Sequence, residues 1–252
     1  MHEIGGWLVD GVIEIIIETG KILKDKYMSS FMVHEKEKGH LTADIDMEAE
    51  LFLKKQLYKI DSSIEFYGEE TGGAESSKQR WIVDSLDGTA NFIFGVPYFC
   101  TSIALEREGR IILAAIYNPV TEELFEASEE KSGAFCNSAP IHVSTISLLQ
   151  EAKVVFGFSA NFKNIKRYHS EWVTVFDGGL KGLGLLSPAM NLCNVARGRI
   201  DAFIDFGCSM EGQAAGGFIL QKAGGKLLNY DKSSWNHCET GIIAANSCLK
   251  IL

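Results

Sequence analysis

Proline is scarce in this 252-residue chain, four residues against 25 glycines, and no stretch shows a Gly-X-Y, Pro-rich or heptad pattern. Collagen-like, disordered and coiled-coil architectures are excluded on that ground. None of the six cysteines (Cys100, Cys136, Cys193, Cys208, Cys238, Cys248) forms a C-x-x-C pair, and sequence neighbours among them lie 10 to 57 residues apart. That spacing argues against a structural zinc site. A chain of this length buries about 70–75% of its unfolded surface and needs no covalent staple. Reduced, mostly buried thiols are therefore expected. Positive charge is in deficit, 24 Lys and Arg against 33 Asp and Glu for a net of -9, which argues against a nucleic-acid partner and suits a site that gathers carboxylates around a cation. Long apolar runs are missing too. The apolar opening stretch is interrupted by Glu3, Asp10, Glu14 and Glu18, whereas a span needs about 20 apolar residues and a signal peptide a basic start. A cytoplasmic protein without a membrane partner is expected.

What is present is a mixture of two periodicities. Leu8, Val12, Ile15, Ile16 and Leu23 recur at helical spacing and predict an amphipathic helix over about 4–27. A second helix is predicted from Asp46 to Tyr58, and further ones over Asn161–Phe176, Ala189–Arg197 and Gln213–Ala223. Short apolar runs at Ile64–Tyr67, Trp81–Val83, Thr101–Leu105, Ile111–Tyr117, Glu123–Ala127, Val154–Phe158 and Asp201–Asp205 read as strands. The fold class is α/β or α+β, a layered sandwich.

The informative feature is where the acids fall. Glu69 and Glu70 follow the strand ending at Tyr67-Gly68, Asp84 and Asp87 follow Trp81-Ile82-Val83, and Asp46 opens the helix that leads to Glu69. Carboxylates gathered at strand ends repel one another unless a cation neutralises them, and hard divalent ions such as Mg²⁺ take carboxylate, carbonyl and phosphate oxygens. In Asp84-Ser85-Leu86-Asp87-Gly88-Thr89, two carboxylates and the Leu86 carbonyl can face one point. Gly88 and Thr89 can offer backbone N–H groups to a phosphate and a hydroxyl to a metal-bound water.

These residues also carry a resemblance. Gly68-Glu69-Glu70 resembles the G-E-E motif of the inositol monophosphatase family of Mg²⁺-dependent, lithium-sensitive phosphatases. Asp84-Ser85-Leu86-Asp87-Gly88-Thr89-Ala90-Asn91-Phe92 resembles its D-P-I-D-G-T-x-N-F, with serine in place of proline. Gly95–Phe99, Ser102–Leu105, Tyr117-Asn118-Pro119, Gly133–Asn137 and Val195–Asp201 extend the similarity over roughly residues 5–245. The resemblance implies a five-layered αβαβα sandwich of the sugar-phosphatase type. It implies one unit over 1–252, with a metal-binding half at 1–145 and a substrate-side half at 146–252, and a homodimer. It implies two or three Mg²⁺ ions held by Glu69, Asp84, the Leu86 carbonyl and Asp87. Thr89 and Asp46 would prepare the nucleophilic water, Gly88 and Thr89 would hold phosphate, and Asp205 would meet polyol hydroxyls. Asp44 competes with Asp46, although the 23-residue spacing to Glu69 favours Asp46. The implied substrate is a small polyol or sugar phosphate, inositol 1-phosphate by default. Fructose 1,6-bisphosphate, 3′-phosphoadenosine 5′-phosphate and a catalytically weakened regulatory role are the alternatives.

The sequence departs from the family pattern in two places. Counting back from Ala223-Gly224-Gly225, Gly212 stands where the family has a metal-binding aspartate and Glu211 where it has tryptophan. Either Glu211, one residue earlier and one carbon longer, takes over, or the second metal site is weak. In Lys181–Pro188, Leu186 replaces a glycine and Pro188 an alanine of the stretch that lines the polyol in relatives. Other motifs read as structural: Gly157–Asn161 is an incomplete nucleophile elbow, and Gly182-x-Gly184 lacks the rest of a dinucleotide fingerprint. Lys163, Lys166, Arg167 and His169 read as a solvated helix face, and Lys36 and Lys38 as a polar loop.

Overall fold

A computed structural model of the chain describes residues 5–29, 31–37, 40–73, 77–157, 181–184 and 186–250, with backbone alone at 35–37, 40–41 and 181–184. Helix α1 (Gly6–Lys26) buries Leu8, Val9, Val12, Ile15, Ile16 and Leu23 along one stripe, and Lys24 and Lys26 in its last turn complement the helix dipole. A hairpin of β1 (Val33–Glu37) and β2 (His40–Ala43) leads into α2 (Asp44–Ile60), which buries Ile45, Ala49, Leu53 and Leu57. The hairpin was not legible from composition, because its residues are polar and do not alternate.

An eight-stranded sheet follows, built from β3 (Glu65–Gly68), β4 (Gly72–Gly73), β5 (Gln79–Asp87), β6 (Cys100–Arg107), β7 (Arg110–Asn118), β8 (Glu123–Ser128), β9 (Ala134–Cys136) and β10 (Ala139–Ile141), in the order β10-β9-β8-β7-β6-β5-β3-β4. Only β3 and β5 pair in parallel in it. A one-turn helix α3 (Thr89–Ile93) interrupts the run between β5 and β6. The second sheet has the order β12-β11-β13-β15-β14, with β11 (Lys153–Gly157), β12 (Lys181–Gly184), β13 (Ala202–Asp205), β14 (Lys226–Asn229) and β15 (Ile242–Ala245). Helices α4 (Pro188–Ala196) and α5 (Met210–Lys222) lie between the two sheets.

The layers follow from which side chains share a core. Trp81, Val83, Ile103, Leu105 and Ala115 pack on α1 and α2. From the opposite face Ile82, Ala104, Ala114 and Ile116 pack with Leu192, Val195, Phe218 and Ile219 of α4 and α5, and the same cluster takes in Val155, Phe203 and Ala244 of the second sheet. Val154, Ala202, Ile204, Ile243 and Ala245 form a further core on that sheet's outer face. Four layers of an αβαβα sandwich are thus described. The helix expected at Asn161–Phe176, the basic stretch Lys163–His169 and Ser159 of the incomplete elbow lie outside the described residues.

All six cysteines are free thiols, and Cys100, Cys136, Cys193 and Cys208 are buried. Among the described residues no helix is long and apolar enough to cross a membrane.

Candidate active site

The site forms where β3, β5, α2 and the N-termini of α4 and α5 meet. Its geometry depends on a defect in β5. Asp84 pairs with Ser102 while Asp87 pairs with Cys100, so three steps on β5 oppose two on β6. In a regular strand residues three apart point to opposite faces; the extra residue of this β-bulge restores the parity and brings Asp84 and Asp87 to one side. Both are buried. Asp84 Oδ1 accepts the Leu86 N–H at 3.0 Å. Asp87 Oδ2 accepts the Ala189 N–H at 2.9 Å and the Ser187 hydroxyl, so this aspartate is seated on the N-terminus of α4.

Gly88, at φ +94°, turns the chain from β5 into α3. A Cβ there would stand 3.0–3.1 Å from Tyr98 O, Leu186 O and Ser187 Cβ, so the position needs glycine for both its backbone and its closeness. The next residue, Thr89, places Oγ1 2.9 Å from Asp46 Oδ1 and 3.0 Å from the Leu86 carbonyl. One hydroxyl proton serves these two acceptors in turn. The other Asp46 oxygen accepts the Ala43 N–H at 2.7 Å at the start of α2, and the Asp46 carbonyl accepts Ser85 Oγ at 2.9 Å. Asp44, the competitor, is half exposed and lies 2.6 Å from His34 Nε2. The geometry brings Asp46, not Asp44, to Thr89.

Glu69 and Glu70 begin the turn after β3, and Glu50 of α2 fixes that turn. Its carboxylate, fully buried, accepts the Glu70 N–H at 2.8 Å and the Thr71 N–H at 2.7 Å. A Cβ on Gly68 would overlap this carboxylate, which explains the glycine before the two glutamates. The work of Glu50 on the acidic turn has no signal in the spacing of the sequence. Ser187 and Asn91 were missed as well. Asn91 Nδ2 donates to Tyr98 O at 2.6 Å and Leu186 O at 3.0 Å, tying the altered segment before α4 to the turn after β5.

Asp205 ends β13 opposite Gly157, with its Oδ1 accepting the Gly207 N–H at 2.8 Å. It is fully covered, so contact with a polyol requires the atoms over it to move. Leu86 is buried and Leu186 partly exposed.

The electrostatics are those of crowded negative charge. Burial pushes the Asp84 carboxyl well above its ordinary value, and the charges of Glu69, Asp87, Glu211 and Asp46 push it further. Asp87 is pushed up to about 6 by burial, against the Ser187 and Ala189 hydrogen bonds that favour its charged form. The Cys100 and Cys208 thiols beside them are pushed up by burial and by these acids, which keeps them inert. Asp46, Asp84 and Asp87 are buried while Glu69 beside them is exposed; buried carboxylates that destabilise one another's charge are what a hard divalent cation relieves, so the residues present fit one. Away from this cluster, Glu106, His237 and Cys238 present ligand atoms within 4.8 Å of one another. There, however, Arg80 Nη2 already donates to Glu106 Oε2 at 2.8 Å, Met210 Sδ at 3.4 Å and Cys238 Sγ at 3.7 Å. A guanidinium holds the position a metal would take.

Comparison with known proteins gives the family and the fold. The profile of the inositol monophosphatase family matches residues 8–251. Inositol monophosphatase 2 of Solanum lycopersicum is 34% identical over 252 residues, covering 96% of this chain and 94% of the relative. The Nus factor SuhB of Pseudomonas aeruginosa is 35% identical over 231 residues, covering 87% and 84%. Among solved structures, the extragenic suppressor protein suhB of Bartonella henselae superposes with a TM-score of 0.88 at 30% identity over 95% of this chain and 93% of its own. An IMPase of Thermotoga maritima gives 0.85 at 26% identity, over 95% and 92%. The layered fold and these relatives are those of a family of phosphoric monoester hydrolases, generally metal-dependent, that act on phosphorylated small molecules. The chain belongs to the inositol monophosphatase family.

Proposed function

We propose that the protein is a Mg²⁺-dependent phosphomonoesterase acting on a small polyol or sugar phosphate, with inositol 1-phosphate as the default substrate. The observation that supports this most is the Thr89–Asp46 hydrogen bond beside the crowded acids Asp84 and Asp87. A phosphate dianion cannot approach several buried carboxylates without a neutralising cation. In this reading Glu69, Asp84, the Leu86 carbonyl and Asp87 hold Mg²⁺. Bound there, the ion supplies charge for the phosphoryl oxygens and lowers the pKa of a coordinated water.

The chain's own residues do the rest. Asp46, anchored by the Ala43 N–H, accepts the Thr89 proton and so turns a lone pair of Thr89 Oγ1 toward the attacking water. That pair orients the water and receives its proton, a contribution of about 10²–10⁴-fold in rate for such general-base help. The backbone N–H groups at Gly88 and Thr89 face the phosphate, and the glycine's closeness to Leu186 O and Tyr98 O leaves no room for a side chain. Asp205 is assigned to the polyol side. Leu186 and Pro188 alter that side, which favours a substrate other than plain inositol phosphate if inositol 1-phosphate turns over poorly.

Lithium sensitivity, a cytoplasmic setting and a homodimer belong to the same proposal. Free buried thiols and the exposed apolar side chains of Met28 and Phe94 are consistent with the last two. Phosphate release from inositol 1-phosphate with and without Mg²⁺, run beside Thr89→Ala, tests the reading. Rates that ignore Mg²⁺ would remove it.

A further inference from the structure

A cavity of about 520 Å³ opens at the far end of β6 from the acid cluster. It lies between the β6–β7 turn, the last turns of α5 and the segment 235–237 after β14. Along β6, Glu106 stands four residues beyond Ser102, the partner of Asp84, a rise of about 13 Å, and the cavity begins past it. Its volume falls within the roughly 300–1,000 Å³ of sites for small molecules. The phosphatase reading makes no use of it.

The walls are fixed by contacts of their own. Trp235 Nε1 donates to Gln213 Oε1 at 2.9 Å, and the indole lies so close on Gly217 that a Cβ there would stand 2.4 Å from Cζ2. Glycine at 217 thus lets the indole rest on α5, yet the ring stays half-buried, with surface left for a ligand. His237, its ring centroid 6.0 Å from the Trp235 ring, is only 5% exposed. Its Nε2 lies 2.9 Å from Glu106 Oε2, which also accepts from Arg80. A carboxylate only accepts, so the imidazole proton sits on Nε2 and the neutral ring leaves Nδ1 as an acceptor. Among the described residues Nδ1 has no hydrogen-bond partner, and His237 lines the cavity.

Positive charge prevails there, in a chain of net -9. Arg110 is paired with Glu129. The Lys222 ammonium, 5.4 Å over the Phe218 ring, has no carboxylate partner among the described residues. An aromatic wall, a buried ring acceptor and an unpaired cation together suit a flat heteroaromatic ring that has an N–H donor and carries an anionic group.

We propose that this cavity binds a nucleoside monophosphate, with the base on Trp235, a base N–H toward His237 Nδ1 and the phosphate at Lys222 and Arg110. The nucleotide is a ligand here and not a substrate, since the acids lie elsewhere.

The test is calorimetric titration of AMP, GMP, CMP and UMP into the full chain in EDTA. Without a divalent cation the acid cluster repels phosphate. The expected result is saturable binding of at least one nucleotide with a Kd below about 1 mM, and weaker binding of its nucleoside and of inorganic phosphate alone. Trp235→Ala should lower the affinity by about 5–150-fold, the worth of one stacked base. Lys222→Glu sets a carboxylate against the phosphate and should abolish binding. Its side chain lies outside the core, so the test does not depend on whether Trp235→Ala folds. Binding should also quench part of the tryptophan fluorescence, and Trp235→Phe should lose that quench. Failure of all four nucleotides to bind, unchanged affinity in Lys222→Glu, or a quench that survives Trp235→Phe overturns the inference. An affinity that shifts in Asp84→Asn but not in Lys222→Glu places the nucleotide at the acids and overturns it too. All of these outcomes leave the phosphatase reading intact.

Discussion

Thr89 and Asp46, 43 residues apart, meet through a hydrogen bond of 2.9 Å between Oγ1 and Oδ1. The contact joins the turn after β5 to the first turn of α2, and Ser85 repeats the link by donating to the Asp46 carbonyl at 2.9 Å. If the pair handles the proton of the attacking water, Asp46→Asn should cut kcat by about 10²–10⁴-fold with little change in KM. Asp44→Asn should leave kcat within about threefold, since Asp44 faces His34 instead. Steady-state kinetics on the two single variants separate them. Equal losses would show that α2 matters only as a scaffold.

Glu50 is a positioning residue. Its carboxylate receives two backbone N–H groups of the acidic turn, at 2.8 and 2.7 Å. Glu50→Gln can accept only one of them well, so Glu69 should lose its fixed place. The Mg²⁺ concentration for half-maximal rate is expected to rise by about 10–100-fold, the usual worth of an outer-shell partner. Excess Mg²⁺ should restore most of the rate. A rate that stays low at saturating Mg²⁺ would place the damage elsewhere.

The raised aspartates set a pH dependence for the metal-free protein. Asp84 and Asp87 sit above the ordinary value of 3.8, Asp87 at about 6, so the native state holds more protons than the unfolded chain between those limits. Stability therefore falls as pH rises through that window. Thermal melts in EDTA should give a higher Tm at pH 5 than at pH 7.5. Mg²⁺ needs the charged carboxylates, so the upshift it produces should grow over the same interval. A flat EDTA profile would mean that the acids are already relieved by something other than a metal.

Arg80 and Glu106 face each other across β5 and β6, both side chains under a tenth exposed, with His237 Nε2 2.9 Å from the same carboxylate oxygen. Glu106→Gln leaves a buried guanidinium short of its counter-charge, and the loss of stability should be about 3–5 kcal/mol, as for other broken buried pairs. Chemical denaturation measures it. A loss below about 1 kcal/mol would show that water reaches the pair.

Much of this was legible in the residues. The apolar stripe from Leu8 to Leu23 specified α1 almost to its ends, because helical periodicity over about four turns has no competing reading. Asp84 and Asp87 announced themselves by motif. What spacing could not show was the bulge that aligns them, since its signal is a register shift against β6 and not a residue type. The start of α5 was placed three residues late, at Gln213. Gly212 weakens the helical pattern there, and the Ser209 cap that rescues it acts through a single hydrogen bond. The roles of Glu50, Ser187 and Asn91 come from contacts 20 to 100 residues away in sequence, beyond the reach of any local pattern.

The most direct test of the account is inorganic phosphate released from inositol 1-phosphate as Mg²⁺ is titrated, with the wild type and Thr89→Ala side by side. The account predicts release that rises from nothing with Mg²⁺ in the wild type. In Thr89→Ala it predicts about 10²–10⁴-fold less, with the Mg²⁺ dependence unshifted. Release in EDTA, or an undiminished rate in Thr89→Ala, would contradict it.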